Sequence, residues 1–328
     1  MDKVKVAVIG CGGLGNFHID NMLKMPDVEI VALVDVFEDA VKKTAEKLPG
    51  VHTYTDYKEL FAQEKELDAA LVVITPHAHG DLEFEAAKAG VHLYVEKPIE
   101  LDIELAKKKS AAIKAAGIIT SVGYQERYQS EIGKLKALLA EQRVGLVDGS
   151  WLGHMPGGMW WRQRASSGGQ LVEQCTHVVD MMRYLFGEIT AIYTRGSTGL
   201  NTEYPGYDVD DSTISMVTFE SGLEAVIKSG CFIKHGTPGK VGLEIFCEGV
   251  MVEFSWNNEI KYSTYTETRV EKANEPAHFN AVATFINAVK TGDRSAIRSD
   301  YEDGMHTLAV TLAATRSMET GERIVMEY

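Results

Sequence analysis

Two domains of different class are predicted: an α/β half built on a doubly wound parallel sheet, then an α+β half with a large open, mostly antiparallel sheet. Three observations carry this. The first 123 residues alternate short apolar runs with amphipathic segments of helical length. Beyond them, strands follow one another with only turns between. A glycine cluster stands between the first strand and the first helix. A length of 328 residues suits two domains at roughly 100–200 residues each, and the division is expected at 1–123 and 124–328.

The elements of the first half follow from periodicity. Strands are expected at Lys3–Ile9, Val28–Val34, Ala69–Ile74, Val91–Val95 and Ile118–Val122. Between them the pattern is helical, after a first helix beginning near Asn16: Asp39–Leu48, Tyr57–Gln63, Leu82–Lys88 and Ile103–Ala115. Strands separated by helices imply parallel pairing, because parallel neighbours need a crossover connection. Near-continuous apolar runs such as VAVIG and LVVIT suit strands buried on both faces.

In the second half a helix over Ser130–Ala140 leads into Val144–Trp151. Strands are then expected at Thr190–Arg195, Ser212–Phe219, Leu223–Phe232, Val241–Cys247, Met251–Trp256 and Ile260–Thr266. The turns include Glu220-Ser221-Gly222 and Trp256-Asn257-Asn258. Consecutive strands with tight turns imply an antiparallel sheet. Helices Phe279–Lys290 and Tyr301–Met318 and a strand Arg323–Glu327 close the chain. No repeat or low-complexity segment interrupts it.

Composition narrows the function. With 45% hydrophobic and 24% charged residues the chain is ordinary globular material. A formal net charge of -14 argues against nucleic acid, whose phosphates require clustered Lys and Arg. The four cysteines are scattered, with no C-x-x-C pair and no zinc-spaced Cys/His group, so reduced thiols and no metal are expected. The N-terminus has no apolar signal region, and no apolar run reaches the roughly 18 residues of a membrane span. A cytoplasmic location is the expectation.

Gly10-Cys11-Gly12-Gly13-Leu14-Gly15 fits G-x-G-x-x-G where the pattern has mechanical meaning, after a strand and before a helix. Gly10 permits the turn, Gly12 lets backbone approach a pyrophosphate, and Gly15 lets helix and strand pack closely. The helix N-terminus offers N–H donors to phosphates. Asp35 ends the second strand about 20 residues further on, placed for the adenosine ribose hydroxyls. Val36, Phe37 and Glu38 follow it, with no cation for a 2′-phosphate, so a Rossmann domain holding NAD rather than NADP is predicted.

Ligands of such sheets bind beyond the carboxyl ends of the strands. Those ends carry Thr75-Pro76-His77-Ala78-His79 and Glu96-Lys97-Pro98, while Tyr124, Gln125 and Arg127 follow the last strand of the first half. His79 is read as a helix cap or a brace for the cofactor loop; His77, His18 and His306 are read as structural. If residues 168–180 form one helix, Glu173, His177 and Asp180 share a face at i, i+4 and i+3 spacing. Asp180 then either orients His177 or is structural. Trp160, Trp161 and Arg162 grip a polyhydroxylated ring through flat surfaces and a fork of donors, or the two tryptophans are core or interface anchors.

With these landmarks in order (VIGCGGLG, TPHAH, EKPIE, VGYQERY, GGQLVEQCTHVVD and the SDYEDGMHTLAVTLAATRS helix), the sequence resembles the Gfo/Idh/MocA family of oxidoreductases along essentially its whole length. The resemblance implies reversible oxidation of a secondary hydroxyl on a sugar, cyclitol or related polyol, and a homodimer or homotetramer paired through the open sheet. Lys97 matches the family's catalytic lysine and His177 its catalytic histidine. Glu173 stands where many members have aspartate, one methylene shorter. Under this reading His177 accepts the hydroxyl proton, near neutrality even when unperturbed. Lys97 hydrogen-bonds the reacting oxygen, and the two roles can be exchanged. Glu173 orients His177 or a second substrate hydroxyl. Redox-neutral glycoside cleavage through a transient keto-sugar, a non-catalytic dinucleotide sensor and NADPH-dependent carbonyl reduction stand as alternatives.

Overall fold

A computed structural model describes residues 3–256, 259–272 and 276–328. In the first half, β1 (Val4–Ile9), α1 (Gly13–Met22), β2 (Val28–Val34), α2 (Glu38–Ala45), β3 (His52–Tyr54), α3 (Tyr57–Gln63) and β4 (Ala69–Val72) alternate in order. They are followed by α4 (Leu82–Ala89), β5 (His92–Val95), α5 (Ile103–Ala116) and β6 (Thr120–Val122). The strands pair in parallel in the order β3-β2-β1-β4-β5-β6, the doubly wound arrangement. Val6, Val8, Leu33, Leu71 and Leu93 are fully buried, as strands covered on both faces require.

The second half contains α6 (Ile132–Ala140), β7 (Val144–Leu152), α7 (Arg164–Ser167), α8 (Gln170–Glu173), α9 (Thr176–Phe186), β8 (Ile189–Ser197), β9 (Ser212–Phe219) and β10 (Glu224–Gly230). Then come β11 (Lys240–Cys247), β12 (Met251–Ser255), β13 (Glu259–Ser263), β14 (Thr268–Lys272), α10 (Ala277–Thr291), α11 (Tyr301–Thr320) and β15 (Ile324–Val325). Nine strands form one sheet in the order β14-β13-β12-β11-β7-β10-β9-β8-β15, and every pair but β7–β10 is antiparallel. One face carries the core, with Val147, Val178, Met182, Val217, Ile227, Leu243 and Phe254 buried together.

The chain resolves into two compact units, residues 1–125 with 277–305, and residues 126–276 with 306–328. A single division after residue 123 therefore misses the return of 277–305 to the first unit. Its cause is the apolar face of α10: Ala281 and Phe285 are buried, and the Phe285 ring meets Tyr94 of β5 edge-on at 5.9 Å.

Several expected elements shift. The first helix starts at Gly13, three residues before Asn16, because Gly12 already has the extended conformation of an N-cap. The polar strand β3 carries no apolar signal and is held at the sheet edge by pairing with Ala32–Val34. The run expected as one strand over Ile260–Thr266 turns at Thr264, whose N–H donates to the Glu267 carbonyl, and returns as the exposed edge strand β14. The Glu220–Gly222 turn closes with Gly222 N–H donating to Phe219, whereas Asn257 and Asn258 of the second expected turn lie outside the described residues. Among the described residues no helix is long and apolar enough to cross a membrane.

Candidate functional site

The nucleotide-binding edge of the first unit follows from register. Ile9, Val72, Val95 and Val122 stand in one row across β1, β4, β5 and β6. The segments Gly10–Gly15, Val73–His79, Glu96–Pro98 and Gly123–Gln125 therefore leave the same sheet edge. Strand order reverses between β1 and β4, the point at which doubly wound sheets bind ligands.

At that point Gly10 has φ +108°, and a Cβ there would lie 2.1 Å from the Val73 carbonyl oxygen; one on Gly15 would lie 1.9 Å from the Gly10 oxygen. Gly10 and Gly15 are thus required by close packing. Gly12 and Gly13 have nothing within 4 Å of a Cβ position, so their backbone is open to a ligand where the N–H groups of α1 begin. Leu14 is half-exposed beside them.

Asp35 accepts hydrogen bonds from Cys11 N–H at 2.8 Å and Phe37 N–H at 3.0 Å, one on each carboxylate oxygen. It ties the glycine turn to the end of β2 and keeps lone pairs for ribose hydroxyls. Val36 and Phe37 are 78% and 72% exposed, without a cation between them. The bare glycine backbone and the carboxylate fit NAD.

Two buried polar networks brace the loops at this edge. Thr75 and Pro76 open a short 3-10 turn, Pro76–Ala78, and His79 follows it. The fully buried His79 places Nδ1 2.5 Å from Glu83 Oε1 in the first turn of α4. Lys109 of α5 joins Glu83 at 2.8 Å and Glu100 at 2.7 Å. This network ties the TPHAH segment to the residues after EKP.

In the second network Glu96 Oε1 lies 2.9 Å from Nε2 of the buried His18, and His278 of α10 stands near both. Burial alone would raise the Glu96 carboxyl. The hydrogen bond from His18 and the charges of His18, His278 and Lys97 outweigh it and hold Glu96 below the usual carboxylate range. Metal-capable atoms of these three side chains lie within 4.8 Å of one another. The His18–Glu96 contact is a direct hydrogen bond, and Nδ1 of both histidines is buried without a partner, whereas a metal-bound histidine normally donates its other ring N–H to an acceptor. Tyr124 and Gln125, both buried, continue the chain past Gly123.

In the second unit, residues 168–180 are not one helix. The chain breaks at Gln174 and Cys175 between α8 and α9, so Glu173 and His177 do not share a continuous helical face. Glu173 accepts a hydrogen bond from Trp161 Nε1 at 2.8 Å. His177 sits in the first turn of α9, 6% exposed, with its ring stacked on Trp151 at 5.5 Å and 18°.

Asp180 is buried and takes a two-pronged bond from Arg127, 2.8 Å from Nε and 2.6 Å from Nη2, and a third from the Thr307 hydroxyl at 3.1 Å. This pairing buries the Arg127 guanidinium, the residue 2% exposed, against Asp180. Trp161 is 1% exposed in a small second core with Met155, Val209 and Cys231, and Trp160 packs against it. Arg162 lies over the Tyr204 ring at 4.8 Å. Sequence reasoning did not single out His278 or Trp151. A period-two pattern over Gly149 and Trp151 on β7 was the available signal for the last.

Comparison with known proteins agrees with this geometry. Residues 4–124 match the family described as oxidoreductase family, NAD-binding Rossmann fold, and residues 132–253 match the GFO/IDH/MocA C-terminal domain. The chain is 26% identical over 334 residues to myo-inositol 2-dehydrogenase of Thermotoga maritima, covering 99% of each. It is 27% identical over 251 residues to the NAD-dependent scyllo-inositol 2-dehydrogenase of Bacillus subtilis, covering 71% of this chain and 69% of that one. Levoglucosan dehydrogenase, solved with NADH and levoglucosan, superposes with a TM-score of 0.88 over 100% of both chains at 18% identity.

Proposed function

The chain belongs to the Gfo/Idh/MocA family of NAD-binding oxidoreductases, and we propose that it reversibly oxidises a secondary hydroxyl of a sugar, cyclitol or related polyol. The observation that carries the reading is the sheet edge on which the open glycine turn and Lys97 follow aligned strand ends. The inositol and levoglucosan dehydrogenases among its relatives support the substrate class.

In this reading Gly12, Gly13 and Leu14 hold the pyrophosphate by backbone and Asp35 holds the ribose. Thr75, Pro76, His79, Glu96 and Gln125 shape the rest of the cofactor edge. NAD, when bound, supplies the hydride acceptor. His177 accepts the hydroxyl proton, and Lys97 donates a hydrogen bond to the oxygen on which charge develops. Glu173, fixed by Trp161, accepts from a second substrate hydroxyl. Trp160 and Arg162 supply flat and forked surfaces to the ring.

The test is NADH absorbance on mixing the protein with NAD and a panel of inositols, hexoses, levoglucosan and aryl glycosides. A rise with one subset, absent with NADP, is expected. Release of an aglycone without net NADH would replace the reading with redox-neutral cleavage. Cofactor binding with no turnover of any kind would replace it with a sensor.

A further inference from the structure

β7 is the central strand on which α9 rests, and its inward-facing residues alternate small and large. Gly149 lies beneath the helix: a Cβ there would come within 2.5 Å of Val178 Cγ1 and 2.6 Å of Met182 Cε. Its hydrogen side chain lets α9 settle directly onto the strand. Two residues further along, on the same face, stands Trp151. Its backbone is paired on both sides, to Ser229 of β10 and Val241 of β11, so the indole is mounted on a rigid base. The His177 ring lies nearly parallel to it at 5.5 Å and 18°. Behind the indole, Trp256 meets Trp151 edge-on at 6.0 Å, and Phe254 meets Trp256 edge-on at 5.2 Å.

We infer that Trp151 is the positioning residue for His177, with Gly149 setting the depth at which the two rings meet. The inference rests on the proton-accepting role proposed above for His177. An imidazole exchanges protons only through nitrogens in its own plane. Rotation out of the stacked orientation would drive the ring into the indole, so the stack fixes the plane in which His177 presents those nitrogens. It also covers one ring face against water. Neither effect requires Trp151 to touch substrate.

Two readouts test this, and the first needs no substrate. A protonated imidazole stacked on an indole quenches its fluorescence. Wild-type emission is therefore expected to fall in a step as pH drops through the His177 titration. The step should be missing in both Trp151→Phe and His177→Gln. A wild-type titration with no step, or a step that survives in Trp151→Phe, overturns the stack itself.

The second readout is steady-state kinetics with NAD and the best substrate of the inositol, hexose and levoglucosan panel. Trp151→Leu is expected to lower kcat ten- to a hundredfold, the scale of a misplacement of about 1 Å. KM for NAD should stay within about twofold, and Trp151→Phe, which keeps a stacking ring, should recover most of the rate. Gly149→Ala, with its indole intact, is expected to lower kcat in the same way by lifting α9. Wild-type kcat in both Trp151→Leu and Gly149→Ala overturns the inference. So does a loss in Trp151→Leu that Trp151→Phe shares in full. A fluorescence step with no oxidation of any polyol would leave the stack standing and remove the proposed reaction instead.

Discussion

At the scale of single residues, the assigned roles separate by what each substitution should leave intact. Lys97→Ala and His177→Ala are expected to reduce kcat by about 10²–10⁴, the usual contribution of a positioned proton-transfer group. NAD binding, measured by fluorescence titration, should persist in both. Near wild-type turnover in either would end its assignment. Asp35 makes the opposite prediction. Its carboxylate already accepts from Cys11 and Phe37 backbone and has lone pairs left for ribose hydroxyls. Losing charge-assisted bonds of about 1.5–3 kcal/mol in Asp35→Ala should weaken NAD binding roughly ten- to a hundredfold and narrow its preference over NADP. An unchanged Kd for NAD would reduce Asp35 to a turn-capping residue. Glu173 stands four residues before His177 and Asp180 three after it, but the chain breaks at Gln174–Cys175, and Trp161 bonds to the first carboxylate and Arg127 to the second.

At the scale of elements, the loops at the sheet edge depend on charges buried beneath them. Lys109 is fully buried between Glu83 and Glu100, and Glu83 also holds His79. Lys109→Met would leave the buried Glu83 with His79 alone and take the lysine away from Glu100. Removing one partner of a buried ion pair costs about 3–5 kcal/mol, so a clear drop in the urea midpoint is expected. A midpoint within experimental error of wild type would show that α4 and α5 hold those loops without the network. Much of this was legible from the chain. Asp102 caps α5 by accepting from Glu104 and Leu105, and Gly117 ends it in the left-handed conformation, close to the limits that periodicity suggests. The elements that escaped, β3 and β14, are short, polar and at sheet edges. Backbone pairing alone makes them strands, and no side-chain pattern records that pairing.

At the scale of the whole molecule, pH acts through carboxylates buried beside cations. Burial opposes ionisation of Glu83 and Glu96, but His79 and Lys109 for the first, and His18, His278 and Lys97 for the second, hold both below their ordinary value of 4.5. The unfolded chain therefore takes up protons at these positions first as pH falls. Their stabilisation is fully present above about pH 4.5 and is lost as pH drops through the lower folded values. Urea midpoints from pH 7 to pH 3 should fall steeply in wild type and less steeply in Glu83→Gln, which starts lower at pH 7. Parallel curves would count against the coupling. The open face of the nine-stranded sheet leads to a second prediction. Ile214 and Met216 are each 58% exposed, and Leu146 and Phe246, 43% and 38% exposed, stand opposite one another on β7 and β11. An apolar face of this kind calls for a partner, and light scattering is expected to give a dimer or tetramer. A monomer would contradict it.

The sequence by itself determined the two fold classes and the glycine turn followed by Asp35, because each rests on local chemistry: the side-chain period and backbone freedom. Only the tertiary structure decided that residues 277–305 return to the first unit, that His18 and His278 join Glu96, that Arg127 belongs to Asp180, and that Trp151 lies under His177. Those outcomes depend on which surfaces meet across long separations in the chain. Packing and charge pairing select such contacts, and residue spacing does not record them.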